Sequence, residues 1–196
     1  VISVMTEITK SFDSLPPAIQ RFVLQWGDMG TQWGVNRSVA QIHALLYVSE
    51  EPLTAEDISN VLGIARSNVS NSIKELLGWK IIQRQPVPGD RRDHFIAQTD
   101  VWDVAMKIAA VRKSREIDPA IETLKFCLEQ AETDTRISKA QKQRLEAMFD
   151  FTSTMDRWYG QMLKVPTGVL LRLIRMGDKI VSIAGFGSKS GTKEKT

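Results

Sequence analysis

Residues Thr54 to Ala97 carry, in order, a helix, a tight turn, a second helix, a β-branched run, a basic tip and a second short β-branched run. Thr54-Ala-Glu-Asp57 is a capping box, in which side chains at both ends satisfy the first free amides of a helix. The helix it opens carries Ile58, Val61 and Leu62 and stops at Gly63. Ile64-Ala65-Arg66 is a short turn, and Ser67 is the expected cap of a helix over 68–77. Gly78-Trp79-Lys80 ends that helix. Ile81 to Gln85 and His94 to Ala97 read as strands, joined by Pro86-Val-Pro-Gly-Asp-Arg-Arg-Asp93, which the prolines and glycine keep irregular.

Helix, turn, helix and hairpin in that sequence define a winged helix-turn-helix, and they make double-stranded DNA the leading partner. At about 100° per residue, Val69, Ile73 and Leu76 share one face of the second helix. Ser67, Asn71 and Lys74 share the opposite one, with Asn68 and Glu75 beside them and Ser70 as a further candidate contact on this helix. Short polar side chains allow close approach to a groove, and Asn pairs with an adenine edge through two hydrogen bonds. Arg66 and the amides near Ser67 are placed to meet a phosphate at the helix N-terminus. The tip GDRRD projects Arg91 and Arg92, with Asp90 as a brace for one of them. Arginine holds a phosphate through paired bonds or enters a narrow minor groove. Arg84 and His94 flank the wing base as further candidate phosphate contacts.

The surrounding chain reads as helical. Ile19, Phe22, Val23 and Trp26 form the apolar face of a first helix, opened near Ser14, Pro16 and Pro17. The Gly-rich GDMGTQWGVNR that follows predicts a loop or an interrupted helix, after which Ser38 is the expected cap of a helix to Val48. Beyond Gln98, apolar residues recur at helical spacing. Asp118-Pro119 is expected to break or kink that run, Ser138-Lys-Ala-Gln141 to cap a new helix, and Pro166 to open the last one. The layout is therefore mainly α. Residues 1–37 form an N-terminal helical segment for packing or dimerisation, 38–99 the winged DNA-binding domain, 100–185 a C-terminal helical region for dimerisation and an effector, and 186–196 a disordered tail.

Bulk properties narrow the function further. Net charge is only +3, but bases outnumber acids between Ile64 and Ala97, where the motif meets phosphate. The single Cys127 has no disulfide partner, which fits a reducing cytoplasm, and VISVMTEITK lacks the zones of a signal peptide. No phosphate-binding Gly loop, nucleophile motif or metal spacing is present, so neither an enzyme nor a cofactor or metal is expected. The competing reading is a winged helix used for protein assembly without sequence-specific DNA binding. Such modules commonly lack a small polar reading face and a two-arginine wing.

EPLTAEDISNVLGIARSNVSNSIKELLGWKIIQR and PGDRRDHFIAQTDVW resemble the MarR superfamily of bacterial regulators, most closely its GbsR-like subgroup. Asp90-Arg91-Arg92 matches the superfamily's Asp-x-Arg wing signature. The resemblance gives Asp90 the brace role, Arg92 the groove contact, and Ser67 to Lys74 the recognition helix. It implies a homodimer paired through terminal helices and transcriptional regulation, usually repression, often tuned by a small ligand. The long C-terminal extension departs from compact members. GbsR-like proteins include sensors of choline-type osmolytes, and aromatic rings attract quaternary ammonium groups. Trp26, Trp33 and Trp102 are therefore the candidate ligand pocket, weighed against simple packing.

Overall fold

The computed structural model describes residues 11–183. Two compact units divide the chain between Ile108 and Ala109. The first holds a 3-10 turn (Phe12–Ser14), α1 (Pro17–Gln32), α2 (Arg37–Val48), β1 (Leu53–Thr54), α3 (Ala55–Leu62), α4 (Arg66–Gly78), β2 (Ile82–Arg84), β3 (His94–Ala97) and the start of α5 (Val101–Arg112). The second holds the rest of α5, a π-helical turn (Lys113–Ile117), α6 (Asp118–Thr133), α7 (Lys139–Met162) and α8 (Thr167–Ile183). The expected disordered tail, 186–196, lies outside the described residues.

In the first unit a single apolar core joins every element of the winged motif. Val23 of α1, Ile42 and Leu46 of α2, Ile58 of α3, Val69 and Leu76 of α4, and Ile81 are almost completely enclosed. Each such side chain contributes about 1.5–3 kcal/mol on leaving water. The capping box at α3 is present in both directions: the Asp57 amide donates to Thr54 Oγ1 at 3.1 Å, and the Thr54 amide donates to Asp57 Oδ2 at 2.9 Å. Gly63, with φ 64°, closes α3 in the left-handed conformation that glycine adopts without steric cost. The sheet has the order β1-β3-β2, both pairs antiparallel, with Leu53 opposite Phe95 and Ile82 opposite Ala97. β1 has only two residues, too few to show alternation in sequence.

Four local expectations are corrected. The Gly-rich stretch is not a loop, because α1 runs through Gly27 and Gly30 to Gln32. Both glycines are buried, and a Cβ on Gly30 would lie 2.5 Å from the Ala40 Cβ. Glycine is used here to let α1 approach α2. The cap of α2 is Asn36, whose side chain accepts from the Ser38 amide at 2.9 Å, so Ser38 is inside the first turn. α4 starts at Arg66 after Ala65, with no side-chain cap, which places Ser67 within the helix and frees its hydroxyl from that role. Asp118-Pro119 does not interrupt the helix. The chain stays helical through the π turn, where the Asp118 amide donates to the Lys113 carbonyl five residues back. That one-residue widening accommodates the missing amide and the ring of Pro119.

The second unit has little interior of its own. The box at Ser138 and Gln141 forms as expected. Lys113 Nζ lies 2.6 Å from both Asp118 Oδ1 and Asp156 Oδ1, tying the π turn to α7. The apolar side chains of α6, α7 and the part of α8 up to Met176 are at least partly exposed, apart from buried Ala131.

Replacing Gly30 with Ala tests the α1–α2 contact. The gain in helix propensity, about 1 kcal/mol, is opposed by a backbone-anchored clash costing about 1–3 kcal/mol, so a net loss in denaturant unfolding is expected. Gly160→Ala in α7, with nothing within 4 Å of a new Cβ, should instead stabilise. A stabilising Gly30→Ala would show that the helices do not pack this closely.

Candidate nucleic-acid interface

α4 is anchored by its underside. Val69, Ser72, Ile73 and Leu76 are buried, whereas Arg66, Ser67, Asn68, Ser70, Asn71 and Lys74 are exposed on the other faces. The expected division of faces therefore holds residue by residue. Asn68 also links two helices, since its Nδ2 donates to Ser38 Oγ at 3.0 Å and so ties the start of α4 to the start of α2. Lys80 takes φ 60° as the chain leaves α4, a conformation uncommon for a residue with a Cβ.

The wing is built by a turn with an evident chemical origin. The Asp90 amide donates to the Val87 carbonyl at 3.1 Å across Pro88 and Gly89, and Gly89 has φ 85°. Proline preset at the second position and glycine at positive φ in the third are the demands of a type II turn. Beyond it, Asp90 grips Arg92. Asp90 Oδ1 accepts from the Arg92 amide at 2.9 Å and from Nε at 3.1 Å, while Oδ2 accepts from Nη2 at 2.6 Å. These bonds hold the Asp90 carboxyl down at about 2 and raise the Arg92 guanidinium. The planar fork is thus fixed in direction, yet the side chain stays exposed.

His94 is placed differently from its expected role. It lies in β3 at only 7% exposure, with Nδ1 3.0 Å from the Arg92 carbonyl oxygen and Nε2 3.5 Å from Asp90 Oδ2. Its ring supports the wing from within and offers a phosphate little surface. Arg84 Nε lies 3.3 Å from Asp93 Oδ2 across the hairpin. Arg91 is exposed at the tip. Between α4 and the wing runs an open groove of about 430 Å³ lined by Arg66, Ser70, Lys74, Arg84 and Arg92. Glu56, which the sequence did not single out, also lines it: it accepts a hydrogen bond from Arg66 Nη2, and its Oε2 lies 3.8 Å from Arg92 Nη1. Its place in the first turn of α3 also suits it to the helix dipole.

The tryptophans do not assemble as the sequence suggested. Trp26 and Trp33 line a small space of about 50 Å³ together with Trp79, whereas Trp102 lines neither this space nor its neighbour. The neighbouring cavity is larger, about 230 Å³, and is walled by Phe22, Trp26, His43, Ala44, Tyr47, Val101 and Val104. Its rings form a chain: Phe22 lies 5.5 Å from Trp26 and 6.5 Å from Tyr47, and Tyr47 lies 6.3 Å from His43. The helical spacing of Phe22 with Trp26, and of His43 with Tyr47, is the signal that could have found it. His43 is buried, and its Nε2 has no hydrogen-bond partner among the described residues. Burial lowers its pKa from 6.5 to about 4, so the ring is neutral near pH 7.

Residues 33–93 match the model of the MarR family. That stretch spans most of the winged helix-turn-helix described above. A solved structure described as a transcriptional regulator is 20% identical, with a TM-score of 0.58, and the match covers 75% of this chain and 96% of that one. That likeness is one of fold. A second, an S. aureus MepR mutant bound to an oligodeoxyribonucleotide, is 18% identical with a TM-score of 0.35, covering 70% of this chain and 90% of that one. Comparison with curated protein sequences finds no match. No helix among the described residues is long and apolar enough to cross a membrane.

The neutral, buried His43 makes the stability of the first unit depend on pH. The unfolded chain takes up a proton below about 6.5, whereas the folded ring does so only near 4. The stabilisation is therefore complete above pH 6.5 and is lost as pH falls towards 4. The interval is equivalent to about 3 kcal/mol. Denaturant unfolding at pH 7.5 and pH 4.5 should show wild type losing more stability than His43→Leu; equal losses would contradict it.

Proposed function

We propose that the protein is a sequence-specific DNA-binding transcriptional regulator, acting as a cytoplasmic dimeric repressor of GbsR-like type. The observation that carries this reading is the single groove shared by α4 and the wing, with Arg66, Ser70, Lys74, Arg84 and Arg92 on its walls. α4 enters the major groove with Ser67, Ser70, Asn71 and Lys74 towards the bases and phosphates. The wing lays Arg91 and Arg92 on the backbone or the adjacent minor groove, with Asp90 and His94 supporting Arg92 from behind. A fold that merely exposed charge would not need the four hydrogen bonds with which Asp90 fixes one arginine.

Dimerisation is supported by the second unit. Phe126, Met148, Phe151, Trp158, Leu173 and Met176 are each at least half exposed. Exposed apolar surface on this scale marks an association face. Two-fold pairing through these helices would set two copies of α4 about one turn of DNA apart, roughly 34 Å.

The effector proposed for this regulator is a choline-type quaternary ammonium compound. The supporting feature is the ring-lined cavity of Phe22, Trp26, Tyr47 and neutral His43, in place of the Trp26, Trp33 and Trp102 set. A quaternary ammonium brings no N–H groups that an apolar wall would leave unsatisfied, and aromatic faces attract its charge. A neutral histidine does not repel it.

Selection of bound sites from random DNA tests the main reading. The recovered operator should bind two copies of the chain, with affinity falling steeply as salt rises. Arg92→Ala should weaken all sequences and reduce the salt slope by about 1 per subunit, whereas Asn71→Ala should relax sequence preference by about 1–3 kcal/mol at one base pair. Unaltered operator binding in both variants, or one-copy binding throughout, would sink the corresponding part. For the effector, choline should change tryptophan fluorescence and lower operator affinity, and Tyr47→Ala should abolish both responses. If neither signal moves in the wild type, the ligand assignment is wrong.

A further inference from the structure

We propose that Glu56 is an intramolecular competitor for DNA phosphate: it occupies Arg66 and Arg92 in the free protein and must be displaced when DNA binds. The proposal rests on the DNA-binding reading above. Glu56 stands in the first turn of α3, yet the amides of that turn are served by Thr54 and Asp57, so Glu56 is not needed as a cap. Its carboxylate instead faces outward into the groove between α4 and the wing. One oxygen accepts from Arg66 Nη2, at the first residue of α4, and the other lies 3.8 Å from Arg92 Nη1, on the wing. A single anion thus sits between cations from two different elements, where a phosphate of the duplex would lie.

The alternative roles are weaker. Glu56 and Arg66 are both substantially exposed, and pairs of this kind add little to folding stability. Arg92 is already oriented by Asp90 through its backbone amide and its guanidinium, so it needs no second brace. A carboxylate and a phosphodiester both present two oxygens to the guanidinium fork, which makes the exchange geometrically simple. The cost of removing Glu56 is the same for any DNA sequence, because phosphates carry no sequence information. Glu56 therefore sets overall affinity and salt sensitivity, while the face of α4 sets preference.

The test is Glu56→Gln in the full chain, with binding to the selected operator and to a scrambled duplex measured across salt concentrations. Affinity for both duplexes should rise about three- to ten-fold, with the operator-to-scrambled ratio unchanged and the salt slope steeper by about 1 per subunit. In an Arg66→Ala, Arg92→Ala background the same substitution should have almost no effect. Weaker binding by Glu56→Gln would show that the carboxylate positions the arginines, and would overturn the proposal. A gain that persists without the two arginines would overturn it too, as the mark of long-range charge alone. If the wild type itself shows no salt-dependent binding, the DNA reading falls; if it binds and Arg92→Ala weakens it while Glu56→Gln does nothing, only the competitor falls.

Discussion

The apolar underside of α4 is the constraint on which the surface proposed to meet DNA depends. Val69, Ile73 and Leu76 are held in the same core as Ile58 of α3 and Ile42 and Leu46 of α2. Because that core fixes the helix in rotation, the opposite face is also fixed. Ser67, Asn71 and Lys74 point outward because Val69, Ile73 and Leu76 cannot. A rotation by even one residue would bury lysine and asparagine at a cost of several kcal/mol. The close approach of α1 to α2 at Gly30 helps keep this core intact, so a glycine outside α4 contributes to how the exposed face of α4 is presented.

The wing solves a different problem. A projecting loop has no core to hold it, and order must come from polar bonds. The turn at Pro88-Gly89 fixes the backbone, and Asp90 fixes Arg92 with bonds to both amide and guanidinium. His94 extends that support into the sheet, where it pairs opposite Thr54, the residue that also caps α3. The first motif helix and the wing are thereby joined through one short strand. Glu56, two residues beyond Thr54, faces both arginines because of that junction.

The two units differ in how they satisfy their apolar residues. The first encloses most of them around its core and leaves a ring-lined space beside His43. The second leaves large apolar side chains open along α6, α7 and α8. Helical periodicity is alike in both, since a stripe meant for a core and a stripe meant for another chain have the same spacing.

Sequence by itself determined the order of elements and the polar face of α4. Capping residues, glycine stops and β-branched runs act over a few positions, so the box at Thr54, the box at Ser138, the end of α3 at Gly63 and the wing turn were legible without a fold. The 3.6-residue period was enough to separate Val69 and Ile73 from Asn71 and Lys74. Tertiary structure decided whatever depended on a neighbour distant in sequence. Gly27 and Gly30 signal a loop locally, and only α2 lying against them makes them helix-packing residues. His94 looked like a surface contact until its strand placed it inside the sheet. Trp102 was grouped with Trp26 by residue type, whereas packing grouped Trp26 with Phe22, His43 and Tyr47. Glu56 had no sequence signal beyond its helix turn, because the arginines that face it arrive from α4 and the wing. Local chemistry is written in short spacings, but a site assembled from four elements exists only once the core has brought them together.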